Sequence, residues 1–220
     1  MRYELDFAPP LAYGPDLLLG AATTVGLSVA TTVFGFGLGV VCAVARSGRT
    51  GAAARVAGAY VETIRNTPLL VQLFLVFFGL PSLGIRLDAT TASIIALTVN
   101  LGAYATEIVR AGLEAIPRAQ IEAGVSLGLS RLQVFRYVVL MPALQVMYPA
   151  LASQFILLML ATSIVSQISA PDLFHTASII QSRTFRDFEV YIVVAALYLG
   201  LALAFRLAFA GLYQLAFARR

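Results

Sequence analysis

The sequence predicts an all-α integral membrane protein: five transmembrane helices, the N-terminus outside, the C-terminus cytoplasmic, and a helical cytoplasmic loop between helices three and four. Three observations carry this. Of 220 residues, 60% are hydrophobic and only 12% charged, against roughly 25% in an ordinary soluble domain, so a water-facing shell cannot enclose the apolar remainder. The charges are spaced so that five stretches can cross a bilayer core, which takes roughly 20 residues. The cations, finally, divide unequally between the two sides that those stretches define.

Span one is Leu17 to Ala45, 29 consecutive uncharged residues between Asp16 and Arg46. The preceding MRYELDFAPP carries acids and no basic n-region, and the apolar run is too long for a signal-peptide core, so the span is read as retained. Span two runs from about Val56 to Leu80, is kinked by Pro68 and ends at Pro81. Span three fills Ala89 to Thr106, 18 uncharged residues before Glu107, and extends to about Arg110. Span four lies within Tyr137 to Pro171, and Pro142 with Pro149 set its expected start at about Met147 and its end near residue 169. Span five runs from about Val190 to residue 216, with Arg206 snorkelling. All 220 residues form one domain, and residues 114–141 form its loop.

With five spans the termini face opposite sides. Arg46, Arg49, Arg55, Arg65, Arg110, Arg118, Arg131, Arg136, Arg206, Arg219 and Arg220 share one side, and Arg2, Arg86, Arg183 and Arg186 the other, a split of 11 to 4. Positive charge gathers inside, so the N-terminus is outside. The net charge of +4 is thus arranged across a membrane, with lipid and not nucleic acid as its partner.

What is missing excludes several chemistries. All 15 cations are Arg, which removes a P-loop phosphate lysine and a Schiff-base lysine. One Cys, Cys42, and one His, His175, cannot assemble a zinc, iron–sulfur or haem site, and no cofactor is expected in this chain. Cys42 reads as a small packing residue and His175 as a solvated residue of an external loop. The loop after span three is far too small for a nucleotide-hydrolysing domain, so any energy source is another chain.

Within that loop, Pro117 suits a first helical turn, and Ile121 with Val125 make one apolar stripe. Gly128 stops the helix as a left-handed cap would. Ser130-Arg131-Leu132-Gln133 is a capping box that starts a second helix, with Leu132 and Phe135 on one face. On pattern alone the pair either docks a partner or lies on the membrane surface.

Glu122-Ala123-Gly124, then Gly128, then Val138-Val139-Leu140-Met141-Pro142 resembles the EAA loop of permease subunits of bacterial ABC importers. Two further stretches are similar to the polar amino-acid uptake branch of that family: Arg65-Asn66-Thr67-Pro68-Leu69-Leu70-Val71-Gln72 entering span two, and Gly102 to Arg110, with Ala103-Tyr104 and Glu107-Ile108, ending span three. Two departures stand out: Gly124 replaces the third small residue with a smaller one, and Pro142 is displaced by one position. Leu160 and Ala161 stand where many relatives carry a charged pair. The resemblance implies a transport subunit, not an enzyme, in the bacterial cytoplasmic membrane. It implies a second like subunit (itself or a sibling) and two cytoplasmic ATPase subunits that bind ATP and Mg and dock on Glu122, Ala123, Gly124, Gly128, Ser130 and Arg131. An extracytoplasmic substrate-binding protein completes the set.

For the substrate path the candidates are Asn100, Glu107, Thr162, Ser163 and Gln167, which offer donors and acceptors at membrane depth, where every polar group must find a partner. Serine and threonine hydroxyls commonly return to their own helix, and Glu107 either pairs with Arg110 at i+3 or turns inward. Two other classes fit the composition: a transporter driven by an ion gradient, which normally shows repeats and intramembrane ionisable residues, and a non-transporting membrane anchor.

Overall fold

The computed structural model describes residues 4–47 and 51–217, and every regular element among them is helical. In chain order these are α1 (Ala8–Leu11), α2 (Gly14–Ser47), α3 (Ala52–Arg65), α4 (Leu69–Leu83), α5 (Ala89–Glu114), α6 (Arg118–Ser126), α7 (Arg131–Ile168), α8 (Leu173–Thr184) and α9 (Asp187–Phe217). Helices α2, α5, α7 and α9 are each long and apolar enough to cross a membrane, and α3 with α4 forms a fifth candidate that is bent by 110°. Of the arginines that set the expected orientation, Arg2, Arg49, Arg219 and Arg220 lie outside the described residues.

Helix α5 is the centre of the bundle: 61% of its apolar window is buried, against 6% for α9. Its N-terminus is fixed by Asp88, whose carboxylate accepts from the Thr91 N–H at 2.9 Å and the Thr91 hydroxyl at 2.6 Å. Helix α2 lies along α5 through a stripe of small residues at four-residue spacing, Thr31, Gly35, Gly39 and Ala43, all buried. A Cβ on Gly35 would sit 2.8 Å from the Leu101 side chain, and one on Gly39 2.6 Å from the Ala105 Cβ. The Gly35-xxx-Gly39 spacing is therefore used for direct backbone approach.

Pro68 does more than kink span two. The residue before a proline is pushed out of the helical region, and here the chain turns through 110° between Arg65 and Leu69. Such a break strands the last carbonyls of α3. The Gln72 amide gathers them, donating to the Ile64 carbonyl at 2.8 Å, the Thr67 carbonyl at 3.0 Å and the Thr67 hydroxyl at 2.9 Å.

Helix α7 corrects the expected start of span four. It begins at Arg131, not near Met147, and the second short loop helix expected after Ser130 is its first turn. Pro142 lacks an N–H and its ring crowds the carbonyl four residues back. The helix accommodates this by widening to π geometry over Val134–Val139, and it carries Pro149 in its interior. It tightens to a 3₁₀ turn over Thr162–Ile168 and ends at Ser169, whose φ is 57°.

The expected external loop around His175 is helix α8, wedged between α2 and α9 with Leu173, Ala177 and Ile180 buried. Gly20 admits it, since a Cβ there would lie 2.8 Å from the Thr176 hydroxyl. Helix α9 is anchored at its start by Glu189, which is fully buried, accepts the Asp6 N–H at 3.0 Å and pairs with Arg186 at 3.4 Å.

Candidate functional site

Two places concentrate the residues singled out by sequence: the α6 hairpin at one end of the bundle and a polar line along α5. At the hairpin, Pro117 precedes α6 with extended geometry and Gly128 follows it with φ of 80°. The Leu129 N–H reaches back to the Gly124 carbonyl at 3.2 Å and the Gly128 N–H to the Val125 carbonyl at 2.9 Å. These two bonds make a Schellman closure. The capping box follows at once: the Ser130 hydroxyl accepts the Gln133 N–H at 3.4 Å, and the Gln133 side chain accepts the Ser130 N–H at 2.8 Å.

Of the six hairpin candidates, Gly124 is buried while Glu122, Ala123, Gly128, Ser130 and Arg131 are exposed. Gly124 faces α7, where an added Cβ would meet Val134 and Val138 at 3.3 Å, so its small size lets α6 seat closely on the π segment. The expected stripe is only half realised. Ile121 packs on the core, whereas Val125 is 56% exposed. With Leu127 at 81% and Leu132, in the first turn of α7, at 75% exposure, it gives the hairpin exposed apolar surface of the kind that marks interaction sites.

Along α5, Asn100, Tyr104 and Glu107 recur at i, i+4 and i+7 and so share a face. The Asn100 amide donates to the Gln72 side-chain carbonyl at 3.0 Å, which joins the middle of α5 to the α3–α4 break. Gln72 is 7% exposed, and in the sequence it stood out only as the last residue of the stretch entering span two, without this bridging position. Its signal was the position four residues after Pro68, where a side chain can reach back over the break.

Glu107 takes both arginines. One oxygen accepts from Arg110 Nε at 3.2 Å and Nη2 at 2.7 Å, the other pairs with Arg46 at the end of α2, and Arg110 also bonds Glu114 at 2.6 Å. The Arg65 guanidinium lies 5.4 Å over the Tyr104 ring. Arg65, Glu107 and Met147 line a cleft of about 340 Å³ between α5 and α7.

The three candidates on α7 are not alike. Thr162 is fully buried and donates to the Met159 carbonyl at 2.7 Å. Ser163 donates to the Leu160 carbonyl at 2.9 Å, and Gln167 is exposed. Behind Thr162 lies a cluster that the sequence did not disclose. Asp172, fully buried, caps α8 by accepting the His175 N–H at 2.7 Å and accepts the Tyr198 hydroxyl at 3.2 Å, while the Leu173 N–H donates to the Thr24 hydroxyl at 3.0 Å. Burial pushes the Asp172 carboxyl above its usual range, against the pull of the His175 and Phe174 N–H groups.

A bundle of membrane-length helices closed by a capped two-helix hairpin is what the sequence resemblance predicts. The family of binding-protein-dependent transport system inner membrane components matches residues 35–219. The chain belongs to this family. The L-cystine transport system permease protein TcyB of Bacillus subtilis is 37% identical over 185 residues, covering 84% of this chain and 79% of that one. The glutamine transport system permease protein GlnP of Escherichia coli is 36% identical over 191 residues, covering 86% and 87%. The crystal structure of an amino acid ABC transporter with histidines superposes with a TM-score of 0.90 at 37% identity, covering 96% of this chain and 99% of that one. The inward-facing MetNI methionine ABC transporter shares the fold, with a TM-score of 0.73 at 23% identity. This permease is thus a multi-pass membrane protein and a transport subunit of an ABC system.

Proposed function

We propose that the permease imports uncharged polar amino acids across the bacterial cytoplasmic membrane. In this reading the N-terminus is outside and the α6 hairpin faces the cytoplasm. A second like subunit completes the path, an external binding protein delivers substrate, and two ATPase subunits carrying ATP and Mg dock on the hairpin through Glu122, Ala123, Gly124, Gly128, Ser130 and Arg131. The exposed Val125, Leu127 and Leu132 support docking there. ATP binding then favours one of two arrangements of the bundle through contacts made only in that arrangement.

One observation carries the substrate class: Glu107, the carboxylate on the α5 line, is bound by Arg46 and Arg110, so it is not a free counter-charge for a cationic side chain. The line instead offers Asn100, which keeps its carbonyl oxygen and one N–H after bonding Gln72. An ammonium can use the first and a carboxylate or amide the second, while Ser163 and Gln167 offer further polar groups on α7. The relatives named for glutamine and cystine transport support this choice.

Uptake of glutamine, cystine and arginine by the reconstituted complex tests it. Asn100→Leu should lower uptake of the first two roughly tenfold, the worth of one buried hydrogen bond. Glu107→Gln should leave it within about fivefold, since a boundary ion pair contributes about 0–1 kcal/mol. Arginine imported as well as glutamine, and lost in Glu107→Gln, would overturn the assignment.

A further inference from the structure

Helices α7 and α9 part along a groove of about 840 Å³, lined on one wall by Tyr148, Ser153 and Leu157 and on the other by Leu203, Arg206 and Gln214. Two features mark it as more than a lipid-filled seam. The first is continuity. Pro149, Ser153 and Ile156 line the groove, and Leu160 and Ser163 continue the same three- and four-residue spacing along α7, so groove and path candidates share one stripe.

The second is charge. Arg206 is exposed, none of the ion pairs among the described residues involves it, and no carboxylate lines the groove. A cation within an apolar span is costly unless it faces a cavity or a counter-ion. The groove is also held in shape next to it: the Tyr148 hydroxyl donates to the Phe209 carbonyl at 2.6 Å, and the Tyr148, Tyr213 and Phe217 rings pack together.

We infer that this groove is the cytoplasmic half of the translocation path and that Arg206 receives the α-carboxylate of the amino acid leaving it. The inference rests on the importer reading above. A guanidinium matches a carboxylate with two parallel N–H donors, the Ser153 hydroxyl and Gln214 amide can take the neighbouring polar groups, and the apolar walls take the side chain.

The test uses the purified permease–ATPase complex, free of nucleotide and binding protein, as wild type, Arg206→Lys and Arg206→Gln. Binding of L-glutamine, L-cystine and L-histidine is compared with that of their α-amides, which lack the carboxylate. Wild type should prefer the acid of its transported amino acid roughly tenfold, Arg206→Lys should keep most of that preference, and Arg206→Gln should bind acid and amide alike. An unchanged preference in Arg206→Gln, or none in wild type, overturns the inference while ATP-dependent uptake by wild type leaves the importer reading standing. Loss of bound anionic lipid in Arg206→Gln with the preference intact makes Arg206 a lipid anchor and overturns it equally. A wild-type complex that takes up no amino acid overturns both.

Discussion

Gly128, with φ of 80° and its N–H bonded to the Val125 carbonyl, shows how far a single residue fixes the hairpin. A β-branched side chain in that conformation costs on the order of 1–2 kcal/mol. Gly128→Val should therefore misplace α6 against α7, so that uptake collapses and the ATPase no longer co-purifies while membrane insertion stays normal. Undiminished uptake by a normally assembled Gly128→Val complex would refute the docking role. This residue and the Ser130 box were legible in the sequence because their partners lie three to five positions away. Glu107 was legible only in part. Its bond to Arg110 is local, but its bond to Arg46 joins residues 61 apart, which no spacing rule can reveal. Asp172 was hidden for the same reason, since its partner Tyr198 and the Thr24 beside it lie on other helices.

At the scale of elements, apolar length located the long helices and failed at the prolines. Pro142 and Pro149 were read as setting the start of span four, yet both lie inside α7: a π segment absorbs the first, and the helix continues through the second. The break at Pro68 survives for a different reason, the three bonds of the Gln72 amide. Gln72→Leu removes that donor from the Ile64 and Thr67 carbonyls, which are partly accessible, an expected loss of about 0.5–1.5 kcal/mol. Thermal unfolding of the purified permease should fall by several degrees and uptake should drop with it. An unchanged melting temperature would mean that the bend is held by packing alone. Helix α8 was missed because its apolar residues are too few for a span, and its burial depends on Gly20 of α2, a contact outside any local window.

For the whole molecule, burial is uneven: 61% of the apolar window of α5 is buried and 6% of that of α9, so α9 is the flank this chain leaves open. The proposed orientation, with the N-terminus outside, rests on the arginine split and is testable with single cysteines. On a Cys42→Ser background, Glu4→Cys should react with an impermeant thiol reagent in intact cells and Arg219→Cys should not. The reverse pattern would put α6 outside and remove the docking argument. The central claim, that transport is driven by a separate ATPase acting through this permease, is tested most directly by glutamine and cystine uptake into proteoliposomes holding the full complex. The proton and sodium gradients are collapsed and ATP is supplied to the ATPase side. The account predicts uptake that persists without the gradients and stops when ATP is replaced by a non-hydrolysable analogue. Uptake that vanishes with the gradients and is indifferent to ATP would contradict it.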